Sequence, residues 1–90
     1  MKIYQYELNV SGKTELRLSG LSGIRGAGFQ GGKPVLWVDY SEYSSPKTRT
    51  FRVFATDEEI SILSNTMYHV ATIQREVGPG EYSVLHIFEK

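Results

Sequence analysis

Two histidines, a glycine-rich segment, an alternating Arg/Phe strand and a tyrosine-bearing loop are where side-chain chemistry could concentrate in this chain. His69 and His86 fall in the last two apolar runs. If those runs pair as antiparallel strands with residue numbers summing near 155, the two rings stand opposite each other. Two imidazoles could begin a metal site, but zinc ordinarily takes three or four protein ligands. The chain has no cysteine, and no carboxylate is spaced to join the pair. Each histidine is therefore read as a half-buried strand residue with a hydrogen-bonded ring, and neither a metal nor a cofactor is expected.

Gly26-Ala27-Gly28-Phe29-Gln30-Gly31 matches G-x-G-x-x-G. The dinucleotide fingerprint needs a helix to start within it, so that helical amides meet the pyrophosphate. Here Gly32-Lys33-Pro34 and a β-branched, aromatic run follow, so the segment reads as turn and bulge. None of the nine serines sits in a G-x-S-x-G elbow. Asp57, Glu58 and Glu59 are explained by helix capping, and Asp39 and Glu42 are ordinary loop acids. The chain is not expected to be an enzyme.

Arg49-Thr50-Phe51-Arg52-Val53-Phe54 interleaves basic and apolar residues but lacks the glycines of the RNA-recognition motif. It reads as a strand with Phe51 and Val53 buried and Arg52 snorkelling outward. Ten basic and ten acidic residues leave no net charge, which argues against a nucleic-acid partner. The loop Tyr40-Ser41-Glu42-Tyr43-Ser44-Ser45-Pro46 is the best binding candidate. Tyrosine gives large contact area at low entropic cost, and serine adds adaptable hydrogen bonds. Tyr40, Glu42 and Tyr43, with Arg49 and Arg52 beside them, form the candidate surface. The competing account is a polar hairpin loop whose tyrosines fold back onto the sheet.

Period-two alternation sets the frame for these residues. Tyr4, Tyr6 and Leu8 share one face. Thr14, Leu16 and Leu18 share another, which predicts a hairpin around Asn9 to Gly12. Ile24 to Gln30 and Val35 to Tyr40 read as a hairpin turning at Gly31-Gly32. Arg49 to Ala55 is the fifth strand. Tyr68 to Gln74 and Tyr82 to Phe88 flank a turn at Val77-Gly78-Pro79-Gly80. One short helix is expected from Thr56, where Thr56-Asp57-Glu58-Glu59 fits a capping box. The fold class is mainly β: a small antiparallel barrel or two-layer sandwich of about seven strands with one short helix, spanning 1–90 as a single domain.

Aromatic side chains supply the material for a small core: six Tyr, four Phe and one Trp. The opening residues lack a signal-like apolar stretch, and no apolar run reaches membrane-spanning length. The expected location is the cytoplasm, with no membrane association.

Four segments stand in an order that resembles a family of short bacteriophage and prophage proteins of unknown function. They are Met1 to Leu8, Leu36-Trp37, Arg49 to Thr56, and Leu85-His86-Ile87-Phe88-Glu89. That family runs from a Lys-aromatic-Glu-Leu strand through "CLW" and "RTFRIFGTG" strands to "YIGTVQ" and "WHVFE". Tyr68 to Gln74 is similar to the penultimate one. The chain departs from the pattern in its glycine-rich segment, its Tyr43 loop and the turn after Thr56, where the family has Gly-Thr-Gly. The resemblance implies a phage origin and carries no catalytic residue. Phage accessory proteins of this size often disable a host factor. The leading expectation is thus a host-factor inhibitor, including an anti-defence protein, acting on a host protein. A structural or assembly role in the virion as a homo-oligomer, and sequestration of a nucleotide or other small ligand, are the alternatives.

Overall fold

The alternating segments resolve into seven strands in the computed structural model, which describes residues 2–40, 45–60 and 66–90. They are β1 (Ile3–Glu7), β2 (Gly12–Ser19), β3 (Ile24–Gln30), β4 (Lys33–Asp39), β5 (Pro46–Ala55), β6 (Tyr68–Gly78) and β7 (Glu81–Glu89). A three-stranded sheet has the order β1-β4-β3, and a four-stranded sheet the order β2-β5-β7-β6. Every pairing is antiparallel. Among the described residues the two sheets form separate ladders that do not close into a barrel, and the arrangement fits a two-layer sandwich.

The core lies between the layers. Leu36 and Val38 of β4 meet Phe51, Val53, Ile73 and Ile87 of the larger sheet, with Leu8 and Leu18 completing the cluster. Alternation explains the selection: Phe51 and Val53 point inward while Arg52 points out. Burying side chains of this size stabilises by roughly 1.5–3 kcal/mol each. On one flank β3 approaches β6, where the Arg75 guanidinium lies over the Phe29 ring at 5.3 Å. On the other flank β1 and β2 are the outermost strands of their sheets.

Glycine chemistry fixes both tight hairpins. Gly31 and Gly32 have φ of 56° and 82° between the paired Gln30 and Lys33, as a two-residue primed turn requires. Pro79-Gly80 joins β6 to β7 with Gly80 at φ 73°.

Three expectations are corrected. The first two strands do not form a hairpin: β1 pairs with β4 and β2 with β5. Leu8 N–H donates to Pro34 O at 2.9 Å, extending the smaller sheet past β1. Asn9 then ties itself to the start of β2, through Thr14 Oγ1 and Lys13 O, as the chain changes layer.

The capping box at Thr56 does not form. Asp57 has φ 71°, outside the right-handed helical region. Thr56-Asp57 is a turn in which Glu58, not Glu59, reaches back to accept from Ala55 N–H at 3.2 Å. Residues 61–65 of the expected helix lie outside the described residues.

The histidines are not opposite each other either. His69 faces Phe88 and His86 faces Thr72, because the β6–β7 register is offset by two to three residues from the one that would set the rings face to face.

Candidate functional site

Strand ends converge at one pole of the sandwich, and an exposed apolar group gathers there. The register continues past β1 and β4: Tyr40 N–H donates to Lys2 O at 2.9 Å. Tyr4 and Tyr40 then sit diagonally on the inward face, beyond the last core residue Val38. Their rings meet edge to face at 5.9 Å between centroids. Both stay open to solvent, Tyr4 at 43% and Tyr40 at 51%, because the core stops beneath them. Ile3 and Leu21 add 54% and 69% exposed side chains at the same pole.

Two ion pairs brace this pole. Asp39, which precedes Tyr40, is buried. It accepts from Gly23 N–H at 2.9 Å on Oδ1 and from Arg25 Nε at 2.8 Å on Oδ2. The Gly23 hydrogen bond, joined by the Arg25 hydrogen bond and charge, holds this carboxyl below its usual range despite desolvation. The second pair is Arg49 with Glu89. Arg49 spans the layers, donating two hydrogen bonds to Glu89 and one to Ser22 O at 2.6 Å. Those bonds to Glu89 push the guanidinium pKa up against the effect of burial. Ser22 neighbours Leu21, so the loop between β2 and β3 is anchored from across the sandwich.

A second cluster occupies the outer face of the four-stranded sheet. His69 Nε2 lies 2.9 Å from Thr72 Oγ1, which lies 3.0 Å from His86 Nδ1. His86 Nε2 is 2.9 Å from Thr56 Oγ1. The result is a hydrogen-bonded chain of four side chains drawn from β6, β7 and the turn after β5. Phe88 borders it, meeting the His69 ring at 5.4 Å and the Phe54 ring at 5.7 Å, both edge to face.

Neither cluster has the parts of a familiar active centre. Among the described residues no group of three His, Cys, Asp or Glu side chains is placed to hold a metal ion. A shallow depression of about 280 Å³, lined by Glu7, Leu8, Asn9, Val10 and Lys33, lies where the chain crosses between layers. No helix among the described residues is long and apolar enough to cross a membrane.

A family model described as a domain of unknown function, DUF7352, matches residues 1–90. The chain belongs to DUF7352. No curated protein matches it, and neither does any solved structure.

The DUF7352 fold sorts the candidate surface residues into different settings. Tyr40 is at the exposed pole. Glu42 and Tyr43 lie outside the described residues. Arg49 is at the same pole but engaged with Glu89 and Ser22. Arg52 is on the outer face of the four-stranded sheet, across from Lys13 and Phe88, and half-buried. Sequence reasoning missed Ile3, Tyr4 and Leu21. Alternation assigned Tyr4 to the inner face correctly, yet nothing in the pattern marks where the core ends.

The same fold accounts for the G-x-G-x-x-G segment. The indole of Trp37 extends across Gly26 and Gly28, and a Cβ on Gly28 would stand 2.8 Å from its Cη2. Trp37 Nε1 donates to Gln5 Oε1 at 2.9 Å, fixing the ring across the smaller sheet. The first two glycines of the motif make room for a tryptophan, and the third turns the hairpin.

Proposed function

We propose that this DUF7352 chain is a binding protein without catalytic activity, which docks a protein partner on the Tyr4–Tyr40 pole. The observation that carries the reading is the pair itself: two adjacent, solvent-open tyrosines on strand ends braced by Asp39 and by Arg49–Glu89. Interfaces favour such side chains because a tyrosine contributes contact area and a polar tip with little rotamer entropy to lose. A rigid scaffold lowers the ordering cost further. The resemblance to short phage proteins supports the finer form of the proposal. In that form the partner is a host factor, met in the host cytoplasm and inhibited by being occupied.

The test compares the wild-type chain with a Tyr4→Ala/Tyr40→Ala variant as bait in bacterial host lysate. One stoichiometric partner should be retained by wild type and lost by the variant, and its activity should fall when wild-type chain is added. No partner across several hosts, or equal capture by both baits, would overturn the reading.

A role in particle assembly has one observation in its favour. β1 and β2 are outermost in their sheets on the same flank, and an unpaired edge can add a strand from a second copy. Copies present in stoichiometric amount in purified virions would replace the inhibitor reading with this one.

A further inference from the structure

We propose that His69 and His86 form a surface site for a late divalent transition metal, Cu²⁺ foremost. A regular strand places residues three apart on opposite faces, so His69 and Thr72 should diverge. They do not, because the register shift between His69 and Ala71 inserts one extra residue. Such a bulge re-aims side chains, and bulges are over-represented beside functional sites. Here it turns His69 onto the face that carries His86. Two imidazole nitrogens, His69 Nε2 and His86 Nδ1, then converge within 3.0 Å of one oxygen, Thr72 Oγ1.

The surroundings match what a metal-binding imidazole needs. The ring nitrogen that does not bind metal usually donates to a fixed acceptor, which sets the tautomer. Thr56 Oγ1 takes that position for His86: with Nε2–H donated to it, Nδ1 presents its lone pair toward Thr72. The His69 ring is steadied by its edge-to-face contact with Phe88. A modest rotation of the two rings replaces the shared hydroxyl with a shared ion. Water then completes the coordination.

Two protein nitrogens with oxygen ligands suit the tetragonal preference of Cu²⁺ or Ni²⁺ better than a closed zinc tetrahedron. Cu²⁺ stands first because it binds nitrogen sites most tightly among these ions. The site is independent of the Tyr4–Tyr40 pole. It requires no thiolate or carboxylate, and so carries no signature that cysteine or acidic spacing would reveal.

The test uses the full chain without an affinity tag, titrated with Cu²⁺ alone and followed by electron paramagnetic resonance and calorimetry. The wild type should bind one equivalent, with hyperfine structure from two equatorial nitrogens. His69→Ala and His86→Ala should each weaken binding tenfold or more and leave one nitrogen. Thr56→Val should weaken it roughly 10–100-fold while keeping two, the effect of losing an outer-shell partner. Thr72→Ala should retain both nitrogens, and urea unfolding of the histidine variants themselves separates loss of a ligand from loss of the fold. A wild-type signal with fewer than two nitrogens, or affinity unchanged by His69→Ala and His86→Ala, would overturn the proposal.

Discussion

Arg49 holds Glu89 with two parallel hydrogen bonds, Nε to Oε2 at 2.6 Å and Nη2 to Oε1 at 2.8 Å, while its third nitrogen reaches Ser22 O. The side chains are only 12% and 19% exposed, so water replaces a lost partner poorly. Arg49→Ala should therefore destabilise the fold by about 3 kcal/mol, leaving a carboxylate stranded. A paired apolar replacement, Arg49→Met/Glu89→Met, should cost much less, because both charges go together. Urea unfolding of the three proteins would check the order.

Asp39 gives a pH prediction. Its carboxyl is held below its usual range, first by the Gly23 N–H and then by Arg25. A depressed folded-state pKa contributes stability above the unfolded value, about 3.9. That contribution disappears as pH falls from there through the folded value. Asp39→Asn should be less stable than wild type at neutral pH, and the two should converge as the solution is acidified. Denaturant midpoints measured from pH 7 to pH 2 would show whether they do.

Gly28→Ala should destabilise by about 1–3 kcal/mol, the usual range for overpacking. The new methyl would meet the indole at 2.8 Å, and the Gln5 hydrogen bond limits how far the ring can retreat. Gly26→Ala should cost less, since its nearest contact is 3.3 Å. Trp37 is the sole tryptophan, so its fluorescence should shift in Gly28→Ala before any unfolding.

The tyrosine pair should show a coupling of about 0.5–1.5 kcal/mol in a double-mutant cycle of Tyr4→Ala and Tyr40→Ala. Each single change should leave the fold cooperative, because the core ends at Val38 beneath them. Thermal unfolding of the cycle would measure both points.

Strand positions were legible in the sequence because alternation reports burial directly. Phe51 and Val53 faced inward as the pattern demanded, and Gly31-Gly32 turned where positive φ was needed. Layer membership was not legible. A short polar connection such as Asn9 to Gly12 serves a hairpin or a crossover equally well, and only the pairing of β1 with β4 decides. The Thr56 capping signal failed because Asp57 took a left-handed conformation, which aspartate tolerates better than most residues. The His69–Thr72–His86 convergence was hidden for a different reason. A bulge changes which residues share a face, and no local composition announces it.

The exchange of layers between β1 and β2 also orders events in time. Only β3–β4 and β6–β7 pair across tight turns, so these hairpins can close early with little loop entropy lost. β2 pairs with β5, and β5 with β7, only across long stretches of intervening chain. β1 likewise reaches its partner β4 only across β2 and β3. Folding should therefore be slow for a chain of this length, as it is for other sandwiches dominated by distant pairings. Substitutions in the Gly31-Gly32 turn should slow it further, whereas changes near Asn9 should chiefly speed unfolding.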